Sequence, residues 1–531
     1  MPADGNSRLA VIDLGSNSFR LVVFESHSGE AEDKGRLWWR SADESEAPLG
    51  AWWKRTDEIY EPVRVVAGAD KKGNLSTESI ERALGTIGIF AHFCSAAGLE
   101  ENEIVAVATS AIRDAPNASE LIDGARELSG LDVRVLSGEE EARYGYLAAV
   151  NSTSLRNGAV FELGGGSAQL VPVDDWAATG FDSWRLGAVR MTERFLPGDG
   201  PTPAKKLDRL REHVASKLES APWLAGQGGE LVGVGGAIRN LAAAAQHIEE
   251  KPEFGVQGFS LKRRTLDALI ESLASMPVAE RRNVPGIKPA RGDIVLAGAV
   301  VVEQVLEAGG FKKIRVTEAG LREGVFLERL LADRPEPLFE DVRAASVVNL
   351  ASQYDPHAAH TRHVASLALG LFDELGEAGL HPADRKEREL LWAAALLHDI
   401  GVAINYDDHH KHSRYLILNA GLPGFSQREM ALIGQIVRYH RKGLPGPGPF
   451  ASLMKPGDQE ILDRCSVLLR LAEDLERSRD QAVSEAHVLA GEQGVELALV
   501  SEAPVPVARW AAARESELFE RAFGQPLRFV G

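Results

Sequence analysis

Residues 9–24 read LAVIDLGSNSFRLVVF and residues 158–173 read GAVFELGGGSAQLVPV. Each is an apolar run of strand character, a short turn of glycine and small polar residues, and a second apolar run, the pattern of a β-hairpin. The two align without a gap at an offset of 149, which places Asp13 on Glu162, Leu14 on Leu163, Gly15 on Gly164, Ser18 on Ser167 and Leu21 on Leu170. A second pair follows at an offset of 126. VATSAIRD at 107–114 matches GVGGAIRN at 233–240, with Ala111, Ile112 and Arg113 on Ala237, Ile238 and Arg239. A fold built by duplication repeats its loops in order. Four matched loops, hairpin, strand-to-helix, hairpin, strand-to-helix, therefore predict two α/β lobes of like topology over 1–136 and 137–330, facing each other across a cleft.

Outward from the lobes the composition changes. LADRPEPLFE at 331–340 is rich in proline and charge and marks a boundary. Beyond it apolar residues recur at helical spacing in HVASLALGLFDEL, RELLWAAALLHDIG and EMALIGQIVRYH, with no strand-like alternation, so 341–445 reads as an all-helical domain. GLPGPGPF at 443–450 is a glycine and proline linker, followed by one more amphipathic helix in DQEILDRCSVLLRLAEDLERSR. VELALV and PLRFVG read as short strands, so 446–531 is expected to end in a small α+β piece.

A chain of 531 residues is long enough for three or four domains with cores of their own. Its 77 acidic residues outnumber 59 basic ones for a formal net charge of −18, which argues against wrapping nucleic acid or anionic lipid and confines polyanion binding to a local basic cleft. Two cysteines, Cys94 and Cys465, lack metal or redox spacing, which excludes a disulfide scaffold. There is no signal-like N-terminus and no run of 18 apolar residues, so the expectation is a cytoplasmic protein with no membrane and no specific nucleic-acid partner.

The repeated loops have the chemistry of phosphate sites. Gly15, Ser16, Asn17 and Ser18 in the first loop and Gly164, Gly165, Gly166 and Ser167 in the second can present backbone amides and hydroxyls in a concave nest. Gly235 and Gly236 open a helix, a third place for an anion. Asp13 and Glu162 are placed to hold Mg²⁺ between protein and phosphate, since that ion prefers one or two carboxylates with phosphate oxygens and water. SGEEEARYGY at 137–146 supplies three glutamates at a strand-to-helix junction. Glu141 is the candidate base for water and Arg113 the cation on the transferring group, while Glu139 and Glu140 suit a helix's first turn.

These segments resemble the exopolyphosphatase and guanosine pentaphosphate phosphatase family, within the actin, sugar kinase and heat-shock-ATPase superfamily. The resemblance rests on IDLGSNSFRLVV, ATSAIRDAPN, LSGEEEARYGYL, FELGGGSAQLV, GVGGAIRNLA, PGIKPARGDIVLAG and EAGLREG, in family order across 9–325. It implies duplicated actin-like, ribonuclease-H-like lobes and a Mg²⁺-dependent hydrolase acting on inorganic polyphosphate or, alternatively, on the 5′ γ-phosphate of guanosine pentaphosphate. The family's proposed base falls on Glu141 and its arginine on Arg113. Two positions depart from the pattern: Glu162 stands where the family usually has aspartate, and Gln169 where a glutamate closes the loop motif. A neutral amide is a poor Mg²⁺ ligand, so Gln169 implies weaker metal binding or turnover, an altered substrate, or a sensor that binds polyphosphate or an alarmone without turning it over. The long C-terminal region favours polyphosphate among these readings, and long members of the family imply a homodimer.

Nine of the fourteen histidines fall between 357 and 440. Imidazole and carboxylate together suit transition metals. The arrangement resembles the HD-domain phosphohydrolase superfamily, and the resemblance carries a candidate second metal site onto His363, His398 and Asp399, with His412 and His440 nearby and Glu473 in place of the final aspartate. Histidine packing in the core, or contact with polyanion at the surface, is the competing reading. The pairs Trp38, Trp39 and Trp52, Trp53 read as packing residues.

Overall fold

The computed structural model describes residues 6–27, 50–70, 72–355, 357–491 and 493–530. Among them the chain divides into two compact units, with divisions after Ser26, Trp52 and Val342. Trp38 and Trp39 lie outside the described residues.

The first unit holds two sheets. Strands β1 (Asn6–Leu14), β2 (Phe19–His27), β3 (Trp52–Glu61), β4 (Ile104–Ala108) and β5 (Val133–Val135) form one in the order β3-β2-β1-β4-β5. The other is built from β6 (Gly158–Leu163), β7 (Ala168–Asp174), β8 (Ala177–Ala178), β9 (Asp182–Trp184), β10 (Glu230–Val234), β11 (Ser260–Lys262) and β12 (Lys313–Val316), in the order β11-β12-β10-β6-β7-β8, with β9 on β7. The run β2-β1-β4-β5 repeats as β7-β6-β10-β12, the topology that the matched loops predict. In both runs the inner pairs, β1 with β4 and β6 with β10, are parallel.

Side-chain alternation decides where the functional carboxylates go. Along β1, Ala10, Ile12 and Leu14 enter the core of the first lobe, while Leu9 and Val11 face the core shared with the second sheet. Along β6, Ala159, Phe161 and Leu163 enter the second lobe's own core and Val160 joins the shared one. Asp13 and Glu162 carry the same parity as Val11 and Val160, so both point toward the space between the sheets. Helices Gly138–Val150 and Leu321–Leu330 pack on each other there and complete that core. Trp53 stacks on Phe339 with ring centroids 5.0 Å apart, and Trp52 stacks on His27.

The second unit is helical over Val342–Tyr354, Ala358–Glu377, Arg385–Leu397, His409–Ala420, Gln427–Tyr439 and Asp458–Leu475. A small sheet of β13 (Glu485–Gly491), β14 (Gly494–Val500) and β15 (Leu527–Val530), with two short helices, closes it as an α+β piece. Cys94 and Cys465 are buried free thiols. Among the described residues no helix is long and apolar enough to cross a membrane.

Candidate functional site

The two phosphate loops meet. A Cβ on Gly165 would lie 3.2 Å from Ser16 Cβ, and one on Gly166 would lie 2.5 Å from Ser110 Oγ and 2.9 Å from Ser16 Oγ. Glycine is required at this junction because any side chain would push the loops apart. The second loop is held from behind: the amides of Ala188 and Val189 donate to the carbonyls of Gly164 and Gly165, and Arg190 Nε donates to Gly166 O at 3.1 Å. The Gly164 amide donates across the turn to Ser167 O at 3.0 Å, so it is the loop's other amides that could meet an anion. Gly187 supports the same loop closely, since a Cβ there would lie 2.3 Å from Gly165 C. The third element, Gly235, has φ +112°, and a Cβ on Gly236 would fall 2.6 Å from Arg291 Cζ, so a guanidinium rests on that loop.

Glu141 sits beside this junction on the first turn of helix Gly138–Val150. Ser137 and Glu140 form a reciprocal cap: Glu140 N donates to Ser137 Oγ at 3.1 Å and Ser137 N to Glu140 Oε2 at 2.8 Å. Glu140 is thereby committed to the helix end and Glu141, 5 % exposed, is turned inward. Its two carboxylate oxygens accept from Ser167 Oγ at 3.0 Å and Arg113 Nη1 at 2.9 Å. Arg113 in turn is fixed by donating to Leu136 O at 2.9 Å. One carboxylate is thus joined to the second phosphate loop and to the arginine of the first lobe. Burial pushes its carboxyl above the ordinary glutamate value, with the Arg113 bond and charge pulling the other way.

Asp13 and Glu162 share this region. Burial raises both carboxyls; Glu162 is raised well above its ordinary value and is pushed further by Glu141 and Asp13. Glu162 Oε2 is buried with no hydrogen-bond partner. Mutually repelling, incompletely satisfied carboxylates beside a phosphate nest fit a hard divalent cation, so the residues present are compatible with Mg²⁺. Space for the longer Glu162 side chain comes from the neighbouring helix: a Cβ on Gly145 would fall 2.1 Å from Glu162 Oε2. Gln169 is the register partner of Glu162 across the hairpin, 1 % exposed, with Nε2 donating to Ser183 Oγ at 3.4 Å and Oε1 unpaired.

A group of cations that no sequence motif singles out lies on the same unit. Arg322 lies 4.0 Å from Asp13 and 3.3 Å from Glu58, while Arg20 donates to Glu58 at 2.9 Å and lies over the Tyr60 ring at 4.8 Å. Burial, then the charges of Arg322, Arg20 and Arg291, holds Arg239 down to about 10. Burial lowers Lys288 as well, followed by Arg20, Arg239 and Arg291. The charges of Arg20, Arg239, Arg291, Arg322 and Lys288 thus act on one another, a local basic group of the kind that binding a polyanion would need. Their signal was present, since all five lie in the quoted segments or one residue from them, but nothing in the spacing said that they converge.

In the second unit the structure brings together His398, Asp399, His440 and Glu473 from the expected set. It replaces His363 and His412. Two groups of ligand atoms form, His360 with His398 and Asp399, and Asp399 with His409 and His440, each within 4.8 Å. His360 Nε2 lies 3.0 Å from Glu473 Oε2, and His398 Nε2 lies 3.3 Å from the same oxygen. His363 instead points its Nε2 to Val483 O at 2.8 Å. His412 packs its Cβ over Gly401, where a methyl group would come within 2.8 Å. One helical turn separates each expected residue from the one used, and the turn decides which imidazole reaches Asp399 or Glu473.

The Ppx/GppA phosphatase family model matches residues 57–333, and the model for domain III of that family matches 342–514. The chain belongs to the Ppx/GppA phosphatase family. It is accordingly a hydrolase with an actin-like fold. The guanosine-5′-triphosphate,3′-diphosphate pyrophosphatase of Pseudoalteromonas translucida is 28 % identical over 475 residues, 87 % of this chain and 86 % of that protein. The protein of the same name from Vibrio vulnificus is 27 % identical over 515 residues, 95 % and 94 % of the two chains. The crystal structure of the Aquifex aeolicus Ppx/GppA family member is similar with a TM-score of 0.51 and 25 % identity, covering 62 % of this Ppx/GppA chain and all of that one. An exopolyphosphatase from Cytophaga hutchinsonii, 22 % identical with a TM-score of 0.53 over 63 % of this chain and all of its own, shares the fold.

Proposed function

We propose that this chain removes the terminal phosphate of guanosine pentaphosphate, giving orthophosphate and the nucleotide with two phosphates at each end. The observation that carries the chemistry is Glu141, whose carboxylate is held by Ser167 of one loop and Arg113 of the other lobe. The relatives that favour the nucleotide are matched over 86 % and 94 % of their own length.

In this mechanism the amides of Gly165, Gly166 and Ser167, with the hydroxyl of Ser18, seat the terminal phosphoryl group, while the Ser167 hydroxyl stays on Glu141. Glu141 retains lone pairs beyond its two hydrogen bonds, and these orient a water toward the phosphorus and take its proton as the new P–O bond forms. The bridging P–O bond breaks and its electrons pass to the leaving diphosphate. Arg113 balances the charge around Glu141, and Arg20, Arg239, Arg291, Arg322 and Lys288 supply cations for the remaining phosphates. Asp13 and Glu162 would hold Mg²⁺, which supplies neutralising charge on the phosphate oxygens.

The same cation cluster suits inorganic polyphosphate, the second reading. Phosphate release in Glu141→Gln is expected to fall by about 10²–10⁴-fold with the melting temperature retained, and undiminished release would remove Glu141 as the base. Parallel kcat/KM values then rank the two substrates; a higher value for polyphosphate reverses the assignment. Binding of both without release from the wild-type chain would leave a sensor.

A further inference from the structure

Residues 113 and 114 are neighbours in the chain, and both reach out of the first lobe. Arg113 closes on Glu141. Asp114, directly after it, is held by two guanidinium groups of the second lobe: Arg190 Nη2 donates to its Oδ2 at 2.8 Å, and Arg185 Nη2 lies 3.1 Å from its Oδ1. The turn that carries them is also pressed against the second phosphate loop. Ser110 Oγ lies 3.3 Å from Ser16 Oγ, and a Cβ on Gly166 would lie 2.5 Å from Ser110 Oγ.

Arg190 does more than meet the Asp114 carboxylate. It lies in the first turn of helix Ala188–Phe195, whose leading amides have no intrahelical partner and hold the carbonyls of Gly164 and Gly165 instead. From there its Nε donates to Gly166 O at 3.1 Å while its Nη2 donates to Asp114. One planar guanidinium therefore joins a carboxylate of the first lobe to a carbonyl of the second phosphate loop, a bridge that the single nitrogen of a lysine does not reproduce.

Gly166 O and the Ser167 N–H belong to the same peptide unit. A charged donor on the oxygen holds the plane of that unit and polarises the amide on its other side. The Ser167 amide is one of those that seat the terminal phosphoryl group.

We propose that Arg190 is a positioning residue that couples closure of the two lobes to the phosphate seat: Asp114 holds its guanidinium on Gly166 O, and the Ser167 amide is aimed at the transferring group only while that bridge stands. Parting of the lobes breaks the bridge and loosens the seat around the released orthophosphate. That role rests on the phosphate-releasing reading of the cleft and adds to it a residue that touches neither substrate nor attacking water.

The test compares the full-length wild type with Arg190→Gln, Arg190→Lys, Asp114→Asn and the double variant Asp114→Asn with Arg190→Gln, each assayed well below its melting temperature. With guanosine pentaphosphate, kcat is expected to fall about 10–100-fold in Arg190→Gln, short of the loss of about 10²–10³ when such a donor is removed outright, with KM within about twofold of wild type. Arg190→Lys, which keeps the charge without the bridge, should stay within about threefold of Arg190→Gln. The double variant should lose no more than Arg190→Gln alone, because both substitutions act through one bridge. The acid limb of kcat/KM should not move, which separates this route from that of Arg113 and Glu141. A loss confined to KM, full recovery by Arg190→Lys, additive losses in the double variant or a shifted acid limb each overturns the positioning role. Orthovanadate, which takes up the five-coordinate geometry of a transferring phosphorus, is titrated in parallel by calorimetry, and its affinity should fall with kcat in Arg190→Gln. If the wild type releases no phosphate from guanosine pentaphosphate while vanadate affinity still falls in the variants, the substrate reading fails and the positioning role stands. Turnover by the wild type with kcat and vanadate affinity unchanged in Arg190→Gln overturns the positioning role alone, and no release with no vanadate effect removes both.

Discussion

In the first unit the candidate ligands sit at the ends of two strands, one in each sheet, and the groups that would touch phosphate are mainly backbone amides of two hairpin turns. In the second unit six side chains converge from the ends of five helices, and backbone carbonyls serve only to aim the imidazoles. A hairpin turn is contiguous and its flanking strands alternate strictly, so five residues of sequence fix both the turn and the side to which Asp13 or Glu162 points. A helix offers candidates at each turn, separated by about 4.5 Å of rise for three residues. Sequence finds the helix and leaves the turn undecided.

The sharpest test of that difference is the pair His360 and His363. His360→Ala removes a group 3.0 Å from Glu473 and is expected to lower Mn²⁺ affinity by about a hundredfold in equilibrium dialysis, whereas His363→Ala should leave it unchanged. Loss of metal in both would mean that the turn is not discriminating. His363→Ala should instead cost about 1 kcal/mol of stability in urea, from the bond to Val483 O.

In the first unit the corresponding test is steric. Gly145→Ala places a methyl 2.1 Å from Glu162 Oε2 and is expected to displace that carboxylate, lowering Mg²⁺ affinity roughly tenfold by calorimetry. A smaller shift should appear in the pH profile. Glu141 acts as a base only when ionised, and burial raises its carboxyl above the usual 4.5. Activity should therefore fall as pH drops through that raised value, and Arg113→Ala, which removes a lowering charge, should move the acid limb of kcat/KM to higher pH. An unmoved limb would detach Arg113 from the base. Least of all, Ser137→Ala should remove the helix cap at about 1 kcal/mol in a thermal melt.

The duplicated lobes, the loop order and the meeting of the two nests were legible because each is a short local pattern repeated in order. The cation group was not. Arg20, Arg239, Arg291, Arg322 and Lys288 span about three hundred positions, and only closure of the two sheets brings their charges together. The glutamate run was legible as chemistry, and the cap formed by Ser137 and Glu140 explains why the third of the three turns inward. His363 and His412 went to the wrong turn, for the reason above. Gln169 remains a buried amide opposite Glu162, so the departure from the family pattern lies within the hairpin and not at its periphery.

Gly145 and Glu162 also constrain how this protein can change. Shortening position 162 to aspartate would vacate the hollow beside Gly145, after which alanine there becomes tolerable; the reverse order passes through a collision. The two sites are therefore expected to drift together along a one-way route, with the strand mutating before the helix.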